Sequence, residues 1–181
     1  MIKNYQSAIL DLTKAIKIQP KNATAAYYNK GNIYLELDDN QNAISDYSNA
    51  IKLFQKYDKA YINRGVTYKN IKLYDKALKD FDRAIEINYQ YELVYFHRTC
   101  IFQAQEKYPQ AIIDYFKCLE LNPKYALALN NKGNSHSALG GNIKACLDLE
   151  NSIRFEPKDY KTYYNLAIVK IEMKKNEEAI T

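Results

Sequence analysis

The sequence predicts an all-α protein, a solenoid of stacked helix-turn-helix hairpins. Three observations carry that expectation. An alanine opening an Ala-Ile, Ala-Leu or Ala-Cys pair recurs as Ala8, Ala43, Ala77, Ala111, Ala145 and Ala179, spaced 34 residues apart from Ala43 onward. Self-similarity at such a period marks helical arrays. Small and bulky residues also recur at helical spacing: Tyr27 with Gly31, Tyr61 with Gly65, Tyr95 with Thr99, Leu129 with Gly133 and Tyr163 with Ala167. Finally, four Pro and five Gly in 181 residues are too few for a strand-and-turn protein.

Taken in order, residues 1–23 read as one helix, the second of an incomplete repeat, ending near Pro20. Residues 24–57 form the first full hairpin. Tyr27, Gly31 and Tyr34 share one face of its first helix, Leu37-Asp38-Asp39-Asn40 turn the chain, and Ala43, Tyr47 and Ala50 share one face of its second. Residues 58–91, 92–125 and 126–159 repeat the pattern, with Phe81, Tyr115 and Leu149 as the bulky residues opposite Gly65, Thr99 and Gly133. Small residues let two helix axes approach, and the bulky ones fill the space between. Pro123 and Pro157 fall where second helices end, because proline cannot continue them. Residues 160–181 read as a fifth repeat cut inside its second helix. The incomplete repeats at both ends suggest a piece of a longer protein, or ends covered by partners. One hairpin cannot bury both faces, so neighbours must stack into a single solenoid domain.

This pattern resembles the tetratricopeptide repeat along essentially the whole chain. The resemblance implies a right-handed superhelical α-solenoid. Gln55 and Tyr89 replace the usual closing proline, and His136 and Lys170 replace the usual aromatic at unit position 11. At unit position 7, where the family usually has Leu, this chain has Lys30, Arg64, Arg98 and Lys132, then Leu166. Position 23 is always Asp: Asp11, Asp46, Asp80, Asp114 and Asp148. Pairing within each repeat leaves no mismatch, whereas pairing between repeats sets Asp148 against Leu166. The sequence therefore favours a structural ladder Lys30–Asp46, Arg64–Asp80, Arg98–Asp114 and Lys132–Asp148.

In the family, first helices line a concave groove that holds ligands, and the resemblance places the peptide-binding face there. Position 6 carries Asn29, Asn63, His97, Asn131 and Asn165, similar to the asparagine tracks of groove-binding members. A carboxamide donates and accepts, so it can hold a peptide backbone whatever its side chains. Beside it stand Asn32 and an apolar run of Tyr28, Ile62, Val66, Leu93 and Phe96. The expected partner is an extended or helical segment with apolar side chains. The two-carboxylate clamp that holds chaperone tails is incomplete: Tyr28, Leu93 and His97 stand where it needs cations. A heat-shock chaperone C-terminal tail is therefore not expected.

The net charge of +5 is spread among interleaved acids, without the gathered basic face that nucleic acid requires. Cys100, Cys118 and Cys146 lack the spacing of a disulfide framework or zinc site and suit a reducing, cytoplasmic setting. No stretch is apolar enough for a membrane span. His97 and His136 have no nucleophile at motif spacing, and no phosphate-binding or hydrolase motif occurs. Neither an enzyme nor a cofactor or metal is expected. The function implied is a protein–protein interaction scaffold, a structural subunit of a larger assembly such as a cytoskeletal or ciliary machine. Alternatives are a reversible peptide-binding adaptor and the targeting or regulatory arm of an enzyme encoded outside these residues.

Overall fold

The computed structural model describes residues 2–180, with side chains from 4 to 175, and every regular element in it is helical. The chain forms two compact units, Met1–Gln90 and Tyr91–Thr181. The first contains α1 (Ile2–Ile18), a 3-10 turn (Pro20–Asn22), α2 (Thr24–Glu36), α3 (Asn40–Leu53), α4 (Asp58–Asn70) and α5 (Tyr74–Ile87). The second contains α6 (Glu92–Ala104), α7 (Tyr108–Leu121), α8 (Ala126–Ala138), α9 (Asn142–Phe155) and α10 (Tyr160–Ile180). Within each unit consecutive helices pack on one another, most extensively as the hairpins α2–α3, α4–α5, α6–α7 and α8–α9.

The hairpin cores are the residues that the repeat pattern singles out. Tyr47, Phe81, Tyr115 and Leu149 are fully buried, as are Ala43, Ala77, Ala111 and Ala145. The fit between facing helices is tight. A Cβ added to Gly31 would stand 2.7 Å from Tyr47 Cε1, and one on Gly65 would stand 2.6 Å from Phe81 Cε1. Both are below any real carbon–carbon contact, so the bulky ring occupies space that only glycine leaves open.

The turns within hairpins share one geometry. Asp38, Lys72, Glu106 and Gly140, all at unit position 15, have φ of 56°, 60°, 57° and 74°. The next residue's N–H reaches back to the carbonyl five residues earlier, as in Asp39 to Tyr34 (2.8 Å) and Gly141 to His136 (2.9 Å). These are Schellman closures, in which a left-handed residue lets the chain satisfy the last helical carbonyls. Asp39 then caps α3, its Oδ1 accepting from Asn42 N–H at 3.1 Å.

The last repeat differs from the expectation. A turn and a second helix are expected around Lys174, the residue at unit position 15, yet α10 runs unbroken from Tyr160 to Ile180. Continuing the helix adds a hydrogen bond per residue, whereas the turn forces a lysine into the left-handed region. The side chain of Ala179 lies outside the described residues.

Candidate functional site

The cations of the ladder stand on first helices and the carboxylates on the second helices of the same hairpins. Arg64 grips Asp80 with both arms of its fork, Nε to Oδ2 at 2.8 Å and Nη2 to Oδ1 at 2.7 Å. Arg98 holds Asp114 in the same way. Lys132 Nζ lies 2.9 Å from Asp148 Oδ1, and His136 Nδ1 takes the other oxygen at 2.8 Å. Lys30 Nζ lies 3.2 Å from Asp46 Oδ1. All four carboxylates are buried, so the ladder sits inside the hairpins and offers a ligand no free charge. Asp11 pairs with Lys14 along its own helix at 3.6 Å. Leu166 is buried where the earlier repeats put a cation.

The asparagines divide. In the first unit Asn63 donates to Tyr28 Oη at 3.1 Å and to Asn32 Oδ1 at 2.8 Å, and Asn32 Oδ1 also accepts from Tyr47 O–H at 2.8 Å. In the second unit Asn165 donates to Asn130 Oδ1 at 3.0 Å. The donor groups of Asn63 and Asn165 therefore join one repeat to the one before it. Asn29 is exposed. In repeat three Phe96 and Cys100 stand at the positions of Tyr28 and Asn32, and the link includes other groups: Gln103 Nε2 donates to the Asn131 carbonyl (3.0 Å) and to Ser135 Oγ (2.9 Å), while Tyr115 O–H donates to Gln103 Oε1 (2.8 Å).

The apolar residues expected on the first-helix face are also partly drawn inward. Phe96 is a correction: it is only 8% exposed, with its ring 5.0 Å from that of Tyr125 and 6.4 Å from that of Tyr115. It belongs to the packing between hairpins and has no face left for a partner. Tyr28 is half-buried between Tyr47 and Tyr57, at 5.9 and 5.0 Å between ring centroids. Ile62, Val66 and Asn131 are half-buried. His97 lies beside the Phe96 ring at 6.2 Å and is likewise half-buried. Leu93 stays exposed at 48%, as does Leu127 one repeat later.

A larger opening lies on the second helices of the second unit. A groove of about 1060 Å³ runs along α7 and α9, walled by Ile113, Phe116, Ile143 and Leu147, with Leu139 and Met173 at its margins. Ile113 is 64% exposed, Phe116 51%, Ile143 77% and Leu147 61%. Its polar floor is the Lys132–Asp148–His136 cluster, with Lys132 Nζ 4.5 Å from the Phe116 ring centroid, and at one end Asn142 Oδ1 is buried without a partner. The sequence reading missed this surface. Its signal is the contrast between repeats: unit positions 18, 22 and 25 are Gln41, Ser45 and Ser48, then Asp75, Lys79 and Asp82, but Pro109, Ile113 and Phe116 in the third, and Ile143 and Leu147 in the fourth.

The thiols are ordinary structural groups. Burial pushes the Cys118 thiol up to about 12, and Cys146 Sγ lies 3.6 Å from Met173 Sδ. Among the described residues no group of three or more His, Cys, Asp or Glu could hold a metal ion. No described helix is long and apolar enough to cross a membrane.

A family model of the tetratricopeptide repeat matches residues 24–57 and 58–88. No curated protein sequence matches the chain. Three solved structures share its fold, each with a TM-score of 0.81. MamA is 21% identical, over 88% of this chain and 92% of its own. YrrB, a protein of the same repeat type, is 20% identical over 93% and 86%. A tetratricopeptide repeat protein from Parabacteroides merdae is 24% identical over 98% and 70%. Residues 24–88 thus match the tetratricopeptide repeat, and the same hairpin geometry carries on through α9 in a fold shared with these structures.

Proposed function

We propose that the chain is a protein-interaction scaffold, a subunit of a multi-protein assembly that docks a partner segment in the α7–α9 groove. The observation that carries this reading is the set of large apolar side chains, Ile113, Phe116, Ile143 and Leu147, left more than half exposed along one groove. Contiguous apolar surface of this kind marks interaction sites in folded proteins. YrrB is described as having an unusual peptide-binding site, which supports peptide holding as a use of this architecture. The matches give no support for a cytoskeletal or ciliary setting. A second reading keeps the first-helix face, where Leu93, Leu127, Tyr164 and Ile168 are exposed in the second unit.

Photo-crosslinking separates the two readings. A benzophenone amino acid placed at Ile143 is expected to trap one partner in the cells of origin, and the same probe at Leu127 is not. Crosslinks from position 127 alone would move the site to the first helices.

A further inference from the structure

Resting on the groove as docking site, we propose that its occupant is an amphipathic α-helix of a partner protein, apolar on the face it buries and acidic along its flank. The apolar lining is not needed to build a hairpin, because Ser45, Ser48, Asp75, Lys79 and Asp82 stand at equivalent positions in the first two repeats. Something other than the repeat's own packing uses those side chains.

Backbone chemistry selects a helix. Beyond their first turns the groove walls, α7 and α9, bond their main-chain groups within the helices, and the Lys132–Asp148–His136 cluster engages most of the polar floor, leaving the first-turn N–H groups of α9 and Asn142 Oδ1 at one end. An extended segment buried here would leave its own N–H and C=O groups unmatched, at a cost that a helix avoids. An amphipathic helix laid into a groove between helices meets both conditions.

Charge selects its flank. On α7 and α9, Asp114 pairs with Arg98, Glu120 with Lys117, Asp148 with Lys132 and Glu150 with Lys170. Lys144 and Arg154 are the charges left over on these helices, both positive, on the stripe that contains Leu147. A partner carrying Glu or Asp beside its apolar face is complementary to them. A second copy docking through α1, where Leu10 and Ile18 are exposed, would bring Lys14 and Lys17 to the same rim.

The test uses the full chain and fluorescent synthetic peptides of about five helical turns, read by anisotropy. One has Leu on one face and Glu on its flanks, a second has Lys flanks, and a third is the acidic peptide with central prolines. Binding of the acidic helix alone is expected. K144E is expected to weaken it about fivefold and to strengthen the Lys-flanked peptide, and I113D with L147D to abolish it while circular dichroism stays unchanged. Equal binding of both charged peptides, or of the proline peptide, overturns the inference while leaving the groove as the site. Loss of no binding in I113D/L147D removes the groove reading itself. Concentration-dependent dimerisation abolished by I113D, without peptide binding, assigns the face to a second copy and overturns the inference.

Discussion

Asp46 Oδ2 is buried without a hydrogen-bond partner, although Lys30 Nζ stands 3.2 Å from the other oxygen of the same carboxylate. The other rungs satisfy both oxygens, two through arginine forks and one through Lys132 and His136 together. In the first repeat Tyr34 stands where His136 stands in the fourth, so a single ammonium serves a carboxylate that needs two donors. Burial pushes the Asp46 carboxyl up from its ordinary value, against the pull of Lys30.

Replacing Lys30 with arginine is therefore expected to stabilise the protein by about 1 kcal/mol. The space exists: Lys30 lies between Tyr27 and Tyr34 at 5.8 and 6.0 Å from the ring centroids, and Arg64 between Tyr61 and Tyr68 at 5.6 and 5.9 Å. Urea unfolding of the variant should show a higher midpoint with the slope unchanged. The sign with pH follows from the raised carboxyl. The folded state binds this proton more tightly than the unfolded state, so that contribution to stability is full below 3.8 and is lost as pH rises through the raised folded value. K30R should flatten this dependence.

Gly65→Ala is expected to destabilise by about 1–3 kcal/mol. The new methyl would lie 2.6 Å from Phe81 Cε1, and Phe81 is fully buried. Thermal unfolding checks it, and an unchanged midpoint would mean that α4 and α5 are spaced more loosely than described here.

At unit position 15 the expected sign is opposite. Lys72 and Glu106 hold positive φ without being glycine, so Lys72→Gly and Glu106→Gly should each stabilise by about 1 kcal/mol. Gly140→Ala should destabilise, since its Cβ meets nothing within 4 Å and the strain at φ 74° is the sole cost.

Cys118 should be the last cysteine to react with iodoacetamide. Its thiol is fully buried and pushed up to about 12, whereas Cys100 and Cys146 are half-buried. Peptide mapping after timed alkylation at neutral pH reads the order, and early labelling at Cys118 would show that the α6–α7 hairpin opens readily.

The hairpins were legible because Ala43, Tyr47 and their counterparts recur at one period, and the ladder because only pairing within a repeat left no mismatch. What the sequence could not supply was the distance between stacked hairpins. Asn63 reads as a free carboxamide until Asn32 and Tyr28 of the previous repeat are seen within bonding range, and Phe96 reads as exposed until Tyr125 covers it. The α7–α9 groove was missed for a different reason. The family resemblance points to first helices, while the apolar substitutions at positions 22 and 25 of the third repeat change nothing in the repeat pattern itself.

The docking face is tested most directly by recovering partners with the full chain and two paired variants, I113D/L147D and L93D/L127D, each checked for unchanged helicity. Loss of a partner in the first variant, with its retention in the second, is the result this account predicts. Retention in the first and loss in the second would contradict it and return the binding surface to the first helices.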